Sequence, residues 1–171
     1  VRLIEENFSF PPGRFSVFEG IKDTTIIDSS YNSSLTAAKG AIEILKDIKP
    51  GRRVGILGDM RELGTLGRVQ HEELAKVILK NLDFVILIGP LTGEYVAPIL
   101  EKNNFKFKKF ETFKEAKEIL VNEINKGDLV LVKGSQNTLF LERVVEMLLK
   151  NKSDEEFLPR RGSFWNKKRR A

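Results

Sequence analysis

The sequence predicts an α/β fold: a Rossmann-like, mainly parallel sheet with helices on both faces. Short apolar runs alternate with amphipathic stretches of helical period along most of the chain. The run Phe84-Val85-Ile86-Leu87-Ile88 is too apolar for a strand with one wet face, which places it centrally among parallel neighbours. Three β-branched runs also empty into polar loops: Ile26 to Ser34, Val54 to Met60, and Leu129 to Ser135. In an open α/β sheet, ligands bind just outside the carboxyl ends of the strands. Three polar-tipped strand ends in one sheet therefore predict a site.

Residues 8–14, Phe-Ser-Phe-Pro-Pro-Gly-Arg, read as an extended lead-in and turn, because paired prolines forbid regular structure. Phe15 to Glu19 alternates apolar and polar and predicts a strand, turned by Gly20 to Asp23 into a second one, Thr24 to Ile27. From Leu35 to Asp47, Ala38, Ile42 and Leu45 share one helical face, and Ser34 supplies an N-cap. Pro50-Gly51 closes that unit. The strand Arg53 to Leu57 precedes a helix from Val69 to Leu79, and the strand Phe84 to Ile88 precedes a helix from Gly93 to Lys102 that contains Pro98. Phe107 to Phe110 is a short strand and Lys114 to Asn125 a helix. Asp128 to Lys133 is the last buried strand, followed by a helix from Phe140 to Leu149. Strands alternating with helices at this spacing imply βαβ units with right-handed crossovers.

Three segments follow: an interdomain lead-in (1–13), a body (14–150) and a basic tail (151–171) expected to be flexible. Phe157, Leu158, Phe164 and Trp165 argue that part of this tail docks on something. At 171 residues and 41% apolar, the chain can bury a real core. No apolar run approaches the roughly 20 residues of a membrane-spanning helix, so no membrane partner is expected. The absence of cysteine excludes thiolate metal sites and fits a cytoplasmic protein. The formal charge of +5 is concentrated in the tail: residues 159–171 carry six basic residues and no acid, leaving 23 basic against 24 acidic elsewhere. A nucleic-acid-binding domain carries its basic excess on the folded part, so composition argues against a nucleic-acid partner.

Arg14 follows Pro12-Gly13 in a loop, where a guanidinium can fork onto phosphate oxygens or simply be solvated. Asp28 at a strand end can accept ribose hydroxyls or a substrate ammonium, or serve as a turn aspartate. Tyr31 and Asn32 can stack on a base and bond its edge, or pack on the sheet and turn the chain. Asp59 and Glu62, three apart between Gly58 and Gly64, suit an ammonium group or cap a helix. No histidine cluster or third acid joins them, so no metal site is predicted. His71, the one histidine, lies beside Glu72 and Glu73, which favour its protonated form; most such histidines are structural or solvated. Lys133-Gly134-Ser135 is expected to open a helix N-terminus that favours an anion, with Ser135 as a cap rather than a nucleophile. Neither a Gly-x-x-x-x-Gly-Lys-Ser/Thr phosphate loop nor a Gly-x-Gly-x-x-Gly fingerprint is present.

Taken together, these motifs resemble the carboxy-terminal domain of the Mur ligases, the ATP-dependent amide-forming enzymes of peptidoglycan synthesis, and among them the D-alanyl-D-alanine-adding branch. That family's domain opens with Pro-Gly-Arg, here Pro12-Gly13-Arg14. Its strand ending in Asp-x-Tyr-Asn-Ala-Asn-Pro corresponds to Ser29 to Leu35. Its Leu-Gly-Asp-Met-x-Glu-Leu-Gly is matched by Leu57 to Gly64, with His71 downstream. Its Val-Lys-Gly-Ser-Arg corresponds to Val132 to Gln136, ahead of Glu142, Val144 and Val145. This chain departs in holding Ser29 where the family has an acid, with Asp28 one place earlier. It also has Ser33, Ser34 and Leu35 for Ala, Asn and Pro, and Gln136 for Arg.

The resemblance implies a three-domain enzyme whose amino-terminal and central domains bind the UDP-sugar and hold ATP and Mg2+, with this domain closing over them. It implies phosphorylation of the carboxylate of UDP-N-acetylmuramoyl-tripeptide to an acyl phosphate, then attack by the amine of D-Ala-D-Ala. It assigns Arg14 to ATP phosphates and Asp28, Tyr31 and Asn32 to the nucleotide or the incoming amine. Asp59 and Glu62 would shape the dipeptide pocket, Lys133 and Ser135 would hold its carboxylate, and His71 and Gln136 are possible contributors. No residue is assigned as nucleophile or base, and this chain alone is expected to be inactive. The alternatives are a sister ligase with another amine acceptor, including a folylpolyglutamate-type enzyme, and a non-catalytic binding module that keeps the fold.

Overall fold

A computed structural model describes residues 11–48, 51–135 and 139–170. The lead-in at residues 1–10, the stop at Pro50, and Gln136 lie outside the described residues. Six strands, β1 (Ser16–Glu19), β2 (Thr25–Ser29), β3 (Arg53–Gly58), β4 (Phe84–Ile88), β5 (Phe107–Phe110) and β6 (Leu129–Lys133), form one sheet in the order β1-β2-β6-β3-β4-β5. Only β1 runs antiparallel, pairing Val17 with Ile27. All other neighbours are parallel.

The chain steps outward from β2 to β5 through α1 (Leu35–Ile44), α2 (Gly67–Asn81) and α3 (Ala97–Lys102). It then returns through α4 (Phe113–Glu123) to insert β6 between β2 and β3. Right-handed crossovers put outward and return connections on opposite faces. Accordingly Ala38, Ile42, Leu74, Ile78 and Leu100 from α1–α3 pack on one face with Ile27, Leu57 and Leu87. Phe113, Leu120, Val144 and Leu148 from α4 and α5 (Glu142–Leu148) pack on the other with Ile26, Ile56 and Ile86. Strand alternation divides consecutive residues of each run between the two cores.

Local chemistry sets the element ends. Ser34 Oγ accepts the Ala37 N–H at 3.3 Å and starts α1. Thr112 Oγ1 accepts the Glu115 N–H as the N-cap of α4, while the Glu115 carboxylate accepts the N–H of Glu111, one residue before the cap. A π-helical turn, Thr92–Val96, precedes α3 and leaves Pro98 in the first helical turn, where its ring is tolerated.

Two sequence expectations are corrected. The helix after β6 begins at Glu142, and Gly134 and Ser135 are not helical, so among the described residues no helix N-terminus lies at Lys133–Ser135. The tail is not simply a flexible appendage. A 3-10 turn, Lys152–Phe157, brings it back so that Leu158 is buried under the sheet and Arg160 is 7% exposed. The helix α6 (Ser163–Arg170) follows, with Phe164 exposed. Among the described residues no helix is long and apolar enough to cross a membrane.

Candidate functional site

The three polar-tipped strands lie side by side. Ser29 of β2 is in register with Lys133 of β6, which is in register with Leu57 of β3. Their carboxyl ends therefore open onto one edge of the sheet, where two clefts form.

The first cleft, about 690 Å³, is lined by Gly13, Arg14, Ser29, Tyr31, Asn32 and Lys133 over a floor from α1 that includes Ala41 and Ile44. Arg14 is exposed, and its guanidinium carbon lies 4.8 Å from the centre of the Tyr31 ring, a cation–π contact. Lys133 is 3% exposed; its ammonium donates to Ser29 Oγ at 3.2 Å and to the Asn32 carbonyl at 2.9 Å. Neither partner is a carboxylate. Burial, reinforced by the nearby Arg14 charge, lowers the Lys133 pKa from 10.5 to about 8. The cleft thus joins two cations to an apolar wall, a chemistry suited to an anionic group carried on a flat or aliphatic body.

Asp28 does not line this cleft. Strand alternation turns it to the face opposite Ser29, where it is fully buried and Oδ1 accepts the Ser30 N–H at 2.9 Å. Burial raises its pKa, offset in part by the Ser30 hydrogen bonds and the charges of Arg160 and Arg161. The residue at the mouth of the cleft is Ser29. The expectation that Asp28 contacts the nucleotide has no support in the lining of this cleft.

The second cleft, about 450 Å³, lies at the ends of β3, β4 and β5 and is lined by Asp59, Arg61, Glu111, Lys114 and Arg143 with the rings of Pro90 and Phe113. Asp59 is anchored: Oδ1 accepts the Thr92 N–H at 2.8 Å. Gly89 passes so close, at φ +131°, that a Cβ there would run into the Asp59 carboxylate. Glu62 points elsewhere; it is exposed, at φ +62°, and borders neither cleft.

Ser135 and His71 brace the loops around the clefts. Ser135 Oγ accepts the Arg61 N–H at 3.0 Å and donates to the Ser33 carbonyl at 3.3 Å, and the Ser135 N–H donates to the Asp59 carbonyl. One residue thus ties the β2, β3 and β6 loops together. His71 is fully buried; Nε2 accepts the Met60 N–H at 3.1 Å and Nδ1 donates to the Gly67 carbonyl at 2.7 Å. That pattern requires a neutral imidazole, so the expectation of a protonated histidine is corrected. Sequence reasoning missed Arg61, Lys114 and Arg143 of the second cleft, since scattered surface-type cations carry no local signature. Among the described residues no group of His, Cys, Asp or Glu comes together that could hold a metal ion.

A crossover sheet with its switch at β6 and two polar clefts at the strand ends defines an α/β ligand-binding domain. The profile of the family described as "Mur ligase, glutamate ligase domain" matches residues 13–136, and the chain belongs to that family. It is 35% identical over 132 residues to the UDP-N-acetylmuramoyl-tripeptide–D-alanyl-D-alanine ligase of Bacillus subtilis, covering 74% of this chain and 28% of that protein. The enzyme of the same description from Rickettsia prowazekii is 31% identical over 127 residues, covering 74% of this chain and 28% of its length. The MurF ligase of Thermotoga maritima, solved in complex with ADP, superimposes with a TM-score of 0.68 at 30% identity, covering 87% of this chain and 32% of that one. The chain spans less than a third of these relatives' length.

Proposed function

We propose that this chain is the carboxy-terminal domain of an ATP-dependent ligase that adds D-Ala-D-Ala to UDP-N-acetylmuramoyl-tripeptide in peptidoglycan synthesis. The observation that carries the reading is the pair of clefts along the carboxyl edge of the sheet, one at β2 and β6, cationic over an apolar wall, and one at β3, β4 and β5, containing Asp59. The similarity to ligases of that description supports it. ATP would supply the phosphoryl group that activates the tripeptide carboxylate. Arg14 would neutralise phosphate charge at the first cleft, with Tyr31, Asn32 and Ser29 shaping its wall. Lys133 would join this set rather than hold the dipeptide carboxylate, a reading supported by its place in the lining of the first cleft.

In the second cleft Asp59 would orient the incoming ammonium, while Arg61, Lys114 and Arg143 offer positive charge for the dipeptide's carboxylate. This domain's contribution is then positioning and charge neutralisation rather than a nucleophile. No magnesium site is assigned to its described residues. A UDP-linked substrate and a cysteine-free sequence suit a cytoplasmic enzyme.

The test is phosphate release from ATP by the full-length protein, supplied with UDP-N-acetylmuramoyl-tripeptide and a panel of amine acceptors. Turnover with D-Ala-D-Ala alone is expected, and Arg14→Ala should lower it more than tenfold. Turnover with a single amino acid or glutamate instead would overturn the choice of acceptor. A loss under tenfold would remove Arg14 from the phosphate site.

A further inference from the structure

We infer that Arg160 is a positioning residue for the first cleft: residues 158–161 form a strap that fixes the Ser30–Tyr31 backbone and, through the Tyr31 ring, the Arg14 guanidinium. The proposal deepens the reading of that cleft as a phosphate site and rests on it. The strap lies beyond the stretch matched by the family profile, which ends at residue 136.

Arg160 reaches across 129 residues of sequence to donate from Nη2 to the Tyr31 carbonyl at 2.6 Å. Its Nη1 donates to Glu142 Oε2 at 2.8 Å and approaches the Ser30 carbonyl at 3.5 Å. The side chains of this pair are 2% and 0% exposed. A guanidinium in such a place needs a carboxylate, and Glu142 in the first turn of α5 supplies it. The planar fork then has a nitrogen to spare for the loop carbonyl, which a lysine ammonium on the same stem would not present in that geometry.

The other side of the loop is held as closely. The Tyr31 N–H donates to the Gly13 carbonyl at 3.1 Å, and Gly13 at φ +73° lies where a Cβ would come within 2.8 Å of Pro159 Cγ. The Tyr31 ring carries both guanidinium groups, Arg14 at 4.8 Å and Arg160 at 5.3 Å from its centre. Glu142, Arg160, Tyr31 and Arg14 thus form one continuous series of contacts from the buried face of the sheet to the mouth of the cleft. Burial of Leu158 alone would dock the tail; the guanidinium goes further and bonds the very loop whose side chains line the cleft.

The test uses the full-length protein with Arg160→Lys and, as a milder change, Glu142→Gln. Amide hydrogen exchange is followed residue by residue, and ADP is titrated into the same samples. In both variants the Tyr31 amide should exchange at least tenfold faster while Ile86 and Leu87 in β4 stay as in the parent. ADP binding should weaken at least fivefold. Unchanged Tyr31 exchange in Arg160→Lys would overturn the strap, and so would equal loosening of Tyr31 and β4 in both variants, which marks a general stabiliser. Unchanged ADP affinity despite a loosened loop would overturn the positioning role. A full-length parent that binds no ADP while the variants loosen only at the loop would leave the strap standing and remove the phosphate-site reading beneath it.

Discussion

Replacing Ser29 by aspartate should stabilise this domain, and the size of the effect follows from Lys133. That ammonium is 3% exposed, bonded to a hydroxyl and a carbonyl, and its pKa falls from 10.5 to about 8. At about 1.4 kcal/mol per pH unit, the difference amounts to about 3 kcal/mol of destabilisation at neutral pH. Because the folded chain releases this proton before the unfolded chain does, the parent gains stability as pH rises from about 8 to 10.5. Ser29 Oγ already sits 3.2 Å from the ammonium and the residue lines the first cleft, so Ser29→Asp places a carboxylate beside the charge. After the cost of partly desolvating the new carboxylate, a net gain of about 1–3 kcal/mol is expected at pH 7. Urea denaturation of parent and variant at pH 7 and pH 10 measures it. The variant's advantage should be largest at pH 7 and shrink toward pH 10, where the parent's ammonium is mostly neutral. An advantage that is the same at both pH values, or a Lys133 that still titrates near 8 in the variant by NMR, would refute the reasoning.

His71→Ala should cost about 3–5 kcal/mol in urea unfolding, because it leaves the buried Met60 N–H without an acceptor and opens a cavity under the β3 loop; a loss below about 1 kcal/mol would show that the imidazole does not hold that loop. Asp28→Asn should raise stability at pH 7, since the amide oxygen can keep the Ser30 N–H while the charge that burial disfavours is removed. The parent carboxyl holds its proton more tightly when folded, so its cost is present above the folded pKa and disappears as pH falls toward 3.8. The Asn advantage should therefore fade on acidification, and an advantage that grows instead would contradict burial as the dominant cause.

Much of the architecture was legible because hydrophobic period is a local property. The buried run at Phe84–Ile88, the Ser34 cap and the three polar strand tips were each readable within a ten-residue window. Candidate residues were harder to assign. Asp28 and Ser29 are adjacent in sequence, yet strand parity sends one into the core beneath the sheet and the other to the cleft. Ser135 and His71 looked like site residues because polar side chains near strand ends often are. Their hydrogen bonds are consumed by the loops themselves.

The sequence by itself determined the α/β class, the interior, parallel place of β4, the family motifs and the fact that charge is concentrated near the carboxyl end. Only the tertiary structure decided that β6 inserts between β2 and β3, because strand order depends on long-range pairing that no local pattern encodes. It likewise decided that Lys133 is buried against a hydroxyl and a carbonyl and that Arg160 is bound to the Tyr31 loop. Those contacts join residues 101 to 129 positions apart. Their energies depend on burial, which exists only once the chain has folded around them.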